Sequence, residues 1–91
     1  MKKAVRLYIK GTVQGVFFRA FVKDSAEKNN VSGFIRNLDD GRIEVFLEGE
    51  IDNVDKVVEA CMNGPKHSQI EDVEIKPEKV QEFKEFKILH I

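Results

Sequence analysis

The chain has 91 residues, 42% of them hydrophobic and 34% charged, with a net charge of -1. That is the size of one domain, expected to fill residues 1–91, with the composition of an ordinary globular protein rather than a disordered or strongly basic one. No run of about 18 apolar residues is present, which argues against a transmembrane span and a membrane partner. A single cysteine, Cys61, excludes an internal disulfide and fits a reducing compartment, so the cytoplasm is expected.

In chain order, Met1-Lys2-Lys3 opens like a signal peptide, but Arg6 and Lys10 interrupt what would be its apolar region, which argues against export. Ala4–Lys10 alternates, Val5, Leu7 and Ile9 against Arg6, Tyr8 and Lys10, and predicts a first strand. Gly11–Val16 reads as a loop. From Phe18 to about Asn29 the spacing of Phe18, Phe21, Val22 and Ala26 predicts a first helix, stopped at Asn29-Asn30 because Asn tolerates the left-handed conformation. Val31–Leu38 and Arg42–Gly49 predict two strands joined through Asp39-Asp40-Gly41, a hairpin signal. In the second of these Glu44, Phe46 and Glu48 share a face expected to be open to water. Val54, Val57, Val58, Cys61 and Met62 form the apolar stripe of a second helix. Asp52 is its expected N-cap and Gly64-Pro65 its terminator. Gln69–Lys76 predicts a fourth strand, and Phe86–His90 a short terminal one.

Strand-helix-strand-strand-helix-strand is the split βαβ pattern, an α+β, ferredoxin-like fold with an antiparallel-rich sheet and two helices on one face. A right-handed crossover makes the first and second strands parallel, with the third between them. The loop after the first strand and the end of the second then emerge at one sheet edge, roughly 10 Å apart, a gap that suits a phosphate-sized ligand.

Charge agrees with an anion at that place. Residues 1–42 carry nine Lys/Arg against four Asp/Glu, while residues 43–91 carry six against twelve. The segment Gly11-Thr12-Val13-Gln14-Gly15-Val16-Phe17-Phe18-Arg19 joins a strand to a helix N-terminus, where unpaired amides and the helix dipole favour an anion. Gly11 and Gly15 permit the angles of a backbone nest. Arg19, in the first helical turn, opposes the dipole unless an anion lies between them, and its planar guanidinium suits two phosphate oxygens. Spacing by itself leaves another reading open, in which the glycines are ordinary turn formers and Arg19 is a solvated cation. The segment is neither a Walker loop nor a dinucleotide fingerprint.

The run Ile9-Lys10-Gly11-Thr12-Val13-Gln14-Gly15-Val16-Phe17-Phe18-Arg19 resembles the signature loop of the acylphosphatase family. Gly33-Phe34-Ile35-Arg36-Asn37-Leu38-Asp39-Asp40-Gly41 is similar to the family's second motif. Val45-Phe46-Leu47-Glu48-Gly49, Gly64-Pro65 and Phe86-Lys87-Ile88 extend the resemblance over nearly the whole chain. It implies a metal-independent hydrolase, without cofactor, that cleaves acyl phosphates to carboxylate and inorganic phosphate. It also implies that Arg19 binds the phosphate, that backbone amides of Gln14, Gly15, Val16, Phe17 and Phe18 cradle it, and that Asn37 orients the attacking water. Phe17, Ile35, Asp39 and Arg42 depart from the residues usual at their positions, Phe17 and Arg42 bearing on access and affinity.

Other chemistry is poorly supported. Cys61 lies on an apolar stripe, so it reads as core rather than nucleophile. His67 and His90 are far apart in the chain, and no spacing suggests a metal site. Asp39 and Asp40 read as turn formers. An RNA-binding sheet face would use Tyr8 and Phe46, but Glu44 and Glu48 beside them would repel a phosphate backbone, and the RNA motifs are absent, so no nucleic acid is expected. An idle anion-sensing domain is the second alternative. A third is the acylphosphatase-like front domain of larger carbamoyl-transfer maturation proteins. An end at Ile91 without a further module favours a free-standing enzyme, and a monomer is expected.

Overall fold

The computed structural model describes residues 1–12, 16–66 and 68–90. In chain order the elements are β1 (Lys2–Thr12), α1 (Val16–Lys28), β2 (Ser32–Asn37), β3 (Ile43–Glu50), α2 (Ile51–Asn63), β4 (Gln69–Glu78) and β5 (Phe86–Leu89). They form one five-stranded sheet of order β4-β1-β3-β2-β5. β3 is antiparallel to both β1 and β2, β4 is antiparallel to β1, and β5 runs parallel to β2. This is the α+β, ferredoxin-like arrangement, with both helices on one face.

The core lies between that face and the helices. Val5, Leu7, Ile9, Ile35, Ile43, Val45 and Leu47 from the sheet meet Phe18, Val22 and Ala26 of α1 and Val54, Val57 and Cys61 of α2. α1 packs over β2 and β5, and α2 over β3, β1 and β4. Met62, expected on the α2 stripe, is instead half exposed at 49%, because the stripe turns away from the sheet at the helix end.

The ends of the elements follow the local chemistry at three places, two helix stops and a hairpin turn, and depart from it at one. Asn30 has φ 56°. The Val31 N–H donates to Ala26 O at 2.9 Å and the Asn30 N–H to Glu27 O at 3.3 Å, the paired bonds of a Schellman stop. Gly64, φ 70°, ends α2 and donates to Ala60 O at 2.8 Å. The Gly41 N–H donates to Leu38 O at 3.1 Å and so closes the hairpin turn between β2 and β3. Asp52 is not the N-cap of α2. The helix starts at Ile51 directly after β3, the capping position is Glu50, and no side chain caps it. The Ile51 N–H instead donates to the Met1 carbonyl at 3.0 Å.

Two glycines are dictated by close approach. Gly33, φ 141°, would place a Cβ 1.8 Å from the Phe46 carbonyl oxygen. Gly11, φ 143°, lies where the β1–β4 register shifts, and a Cβ there would fall 2.1 Å from Gln69 O. This bulge makes Gly11 pair with Ile70 while Lys10 pairs with Asp72. Ile70 thereby joins Val73 against the core, although strict alternation sets them on opposite faces. Ile75 shares the face of Leu7, but β4 is the sheet edge and Ile75 stays 44% exposed.

The opposite face is not open. Phe34, Phe46 and Phe83 form an aromatic cluster, with the Phe34 and Phe46 rings stacked at 5.8 Å. Glu44 is buried and accepts from Arg36 Nε and Arg6 Nη1, both at 2.5 Å, and from the Tyr8 hydroxyl at 3.4 Å. Arg6 also donates to Glu78 at 3.1 Å. Glu48, also buried, accepts the Gln81 N–H at 2.6 Å and the Phe83 N–H. The 79–85 segment between β4 and β5 is thus held across this face. Phe46 is fully buried, and Tyr8 has Arg42 and Lys76 over its ring at 5.0 and 5.5 Å. The aromatic platform expected of an RNA reader is covered.

Candidate active site

β1, β2 and β5 run in the same direction, so their C-terminal ends share one edge of the sheet. Asn37 ends β2 opposite Ile43 of β3, and Ile43 is in turn opposite Ile9 of β1. The end of β2 therefore stands two strands from the start of the Gly11–Arg19 segment, roughly 10 Å away at ordinary sheet spacing. Chain direction and register together bring the ends of β1 and β2 to one edge of the sheet, two strands apart, as the sequence pattern anticipates.

Asn37 continues the parity of Gly33 and Ile35, both buried on the helix side. Its amide oxygen Oδ1 is buried and has no hydrogen-bond partner among the described residues. A buried acceptor without a donor is unfavourable by about 1–3 kcal/mol, so one in a native fold asks for a ligand or water to supply the proton.

Arg19 stands in the first turn of α1, half-buried, on the helix that lies over β2 and β5. Its Nη1 is 3.5 Å from Nδ1 of His90, one residue beyond β5. The last β2–β5 pair is Arg36 with Leu89, so Asn37 and His90 are the next positions on neighbouring parallel strands. Through His90, the structure connects Arg19 to the strand end beside Asn37. Sequence reasoning passed over His90 because it was read only as a possible metal ligand. Its role depends on which strand β5 joins, and local pattern does not carry that information.

Of the expected phosphate cradle, Gln14 and Gly15 lie outside the described residues, as does His67. Val16 opens α1, and the amides of Val16, Phe17, Phe18 and Arg19 belong to the turn that an α-helix leaves without internal acceptors. Phe18 anchors this turn in the core at 3% exposure, while Phe17 is 86% exposed. One neighbouring residue thus fixes the helix start while the other faces solvent beside it. No acidic residue lies in this turn to compete for its positive end.

Other candidates recede. Burial pushes the Cys61 thiol up to about 12, so it stays protonated and unreactive. Asp40 accepts from the Arg42 N–H at 3.0 Å and from Arg42 Nε at 2.8 Å, bonds that hold its carboxyl below the ordinary range and mark it as a turn residue. No group of three or more His, Cys, Asp or Glu among the described residues is placed to hold a metal. No helix among them is long and apolar enough to cross a membrane.

Comparison with known proteins places these features in context. The family model described as Acylphosphatase matches residues 5–88. An acylphosphatase of Rubrobacter xylanophilus is 50% identical over 76 residues, which cover 84% of this chain and 69% of that protein. One of Syntrophus aciditrophicus is 41% identical over 91 residues, 99% of this chain and 95% of that protein. The crystal structure of acylphosphatase from Bacillus subtilis superposes with a TM-score of 0.91 at 34% identity, over 99% of this chain and 100% of that one. Full-length HypF, in a phosphate- and nucleotide-bound form, contains a similar unit: TM-score 0.87 and 29% identity, over 99% of this chain but only 12% of HypF.

Proposed function

Since the chain belongs to the acylphosphatase family, hydrolases that cleave acyl phosphates to carboxylate and inorganic phosphate, we propose that Arg19 and Asn37 divide that reaction between them. Arg19 and the backbone amides of Gln14 to Phe18 grip the phosphoryl group, and Asn37 orients the attacking water. The observation that carries this reading is the Oδ1 of Asn37, buried and without a hydrogen-bond partner among the described residues, at the sheet edge beside His90, which contacts Arg19.

The chemistry asks for little more. An acyl phosphate is a mixed anhydride whose leaving carboxylate is a weak base, so no general acid has to protonate it. The remaining tasks are to neutralise charge on the phosphoryl oxygens and to hold water in line. Donors fixed before the reaction supply the first. The neutral amide of Asn37 accepts a hydrogen bond from the water but is too weak a base to take its proton. The proton passes to a phosphoryl oxygen of the substrate. Neither metal nor cofactor enters this scheme. The substrate is a small molecule, and the chain acts as a monomeric single domain in the cytoplasm. The single continuous core supports the domain, and the reduced, buried Cys61 is compatible with the compartment.

The test is to compare Arg19→Ala with Asn37→Ala on benzoyl phosphate, with inorganic phosphate as inhibitor. Arg19→Ala should weaken phosphate binding and lower turnover by about 10³-fold or more. Arg19→Lys should recover only part, because ammonium lacks the two-pronged geometry. Asn37→Ala should lower turnover by about 10²-fold while phosphate binds nearly as before. Equal loss of phosphate binding in both alanine variants would refute the division of labour.

A further inference from the structure

We infer that His90 is a positioning residue for Arg19, a reading that rests on Arg19 gripping the phosphoryl group. A guanidinium carries only donors. Nη1 of Arg19 lies 3.5 Å from Nδ1 of His90, so in a hydrogen bond between them the imidazole nitrogen is the acceptor. The separation is long for a hydrogen bond, so its effect is modest.

The placement of His90 gives this contact its use. Phe86 is buried at 2% exposure, and Ile88 packs against the core. β5 is therefore anchored on the helix side at alternate residues, and His90 is the next in that series. Its backbone is directed by a strand of the sheet, and the Arg19 guanidinium reaches it from the first turn of α1. A partner at Nη1 restrains rotation of the guanidinium plane before substrate arrives. That removes part of the ordering entropy otherwise lost on binding. His90 itself is exposed at the surface, so the fold makes little demand on its side chain.

The experiment uses His90→Leu and His90→Asn, whose Oδ1 lies close to where Nδ1 was, each alone and combined with Arg19→Ala. Activity is read on benzoyl phosphate, at high enzyme concentration for the Arg19→Ala background, and binding as the inhibition constant of inorganic phosphate. His90→Leu should lower kcat/KM and weaken phosphate inhibition by about 3–10-fold, the range of one modest hydrogen bond. His90→Asn should restore most of both. In the Arg19→Ala background His90→Leu should change nothing, and the melting temperature should stay that of the parent throughout. A His90→Leu variant that equals wild type would overturn the inference. So would His90→Asn as poor as His90→Leu, or a loss of the same size without Arg19. Full activity in Arg19→Ala alone would instead overturn the reading of Arg19, so the two failures are distinguishable.

Discussion

On the helix side of the sheet, Leu7, Ile9, Ile35, Val45 and Leu47 are buried against apolar side chains. On the other side, Arg6, Glu44, Phe46 and Glu48 are covered by ion pairs, aromatic rings and the amides of the 79–85 segment. Both faces bury side chains, but their stabilisation differs in kind. Apolar packing does not depend on protonation, whereas a carboxylate held by two arginines does. Burial alone would push the Glu44 carboxyl up. The hydrogen bonds and charge of Arg36 and Arg6 outweigh that and hold it below its ordinary value. The edge proposed as the site lies where the apolar face ends, and it draws Asn37 and Arg19 from elements whose stability is set elsewhere.

The contrast can be broken most forcefully from the apolar side. Leu47→Ala should destabilise by about 2–5 kcal/mol at every pH where the fold persists, since it removes buried volume and leaves a cavity. Denaturant titrations at pH 4 and pH 7 should give the same loss at both.

Glu44→Gln should destabilise less, by about 1–3 kcal/mol at neutral pH, because Arg6 keeps Glu78 and only the shared carboxylate is lost. Its signature is in the pH dependence. A carboxyl with a depressed folded pKa stabilises above its unfolded pKa and loses that contribution as pH falls through the folded value. The difference between Glu44→Gln and wild type should therefore shrink on acidification below about pH 4, the unfolded glutamate range. A constant difference would mean that Glu44 acts through shape rather than charge.

The edge itself should respond to its ligand. Inorganic phosphate at ten times its dissociation constant should stabilise by about 1.4 kcal/mol. That corresponds to roughly 5–10 °C in melting temperature for a domain of this size. The shift, measured at constant ionic strength, should vanish in Arg19→Ala and survive in Asn37→Ala. The smallest expected effect is zero: exhaustive chelation should leave turnover on benzoyl phosphate unchanged. Loss of activity restored by a divalent metal would overturn the metal-independent scheme.

The strands and helices were legible because their periods are clean, as in Val5-Arg6-Leu7-Tyr8-Ile9 and Val54-Val57-Cys61. The Asn30 stop and the Gly41 turn were legible because few residues adopt those angles. What could not be read was mostly long-range. Glu44 and Glu48 look like solvent-facing residues until Arg6, Arg36 and the amides of Gln81 and Phe83 are brought to them from across the chain. Asp52 looks like a cap until β3 is seen to run straight into α2. The Gly11 bulge is encoded in a clash with Gln69, 58 positions away in the numbering, which no local window contains. At the candidate site, Arg19 and Asn37 were singled out by motif resemblance and topology, while the place of His90 needed the pairing of β5 to be known.

The strand order also bears on how the molecule assembles. Among the described strands, only β2 and β3 are joined by a hairpin. β1 must find β3 and then β4, and β5 must return to β2 across the intervening β3, α2 and β4. Most sheet pairing therefore closes over long stretches of chain, and the loop entropy is lost before the contacts compensate for it. Folding should be slower than in helical domains of equal length, with activity returning only after both crossovers have closed. Arg19 and His90 are 71 positions apart. A refolding experiment that follows turnover together with the helix signal tests whether activity returns only as the whole sheet closes.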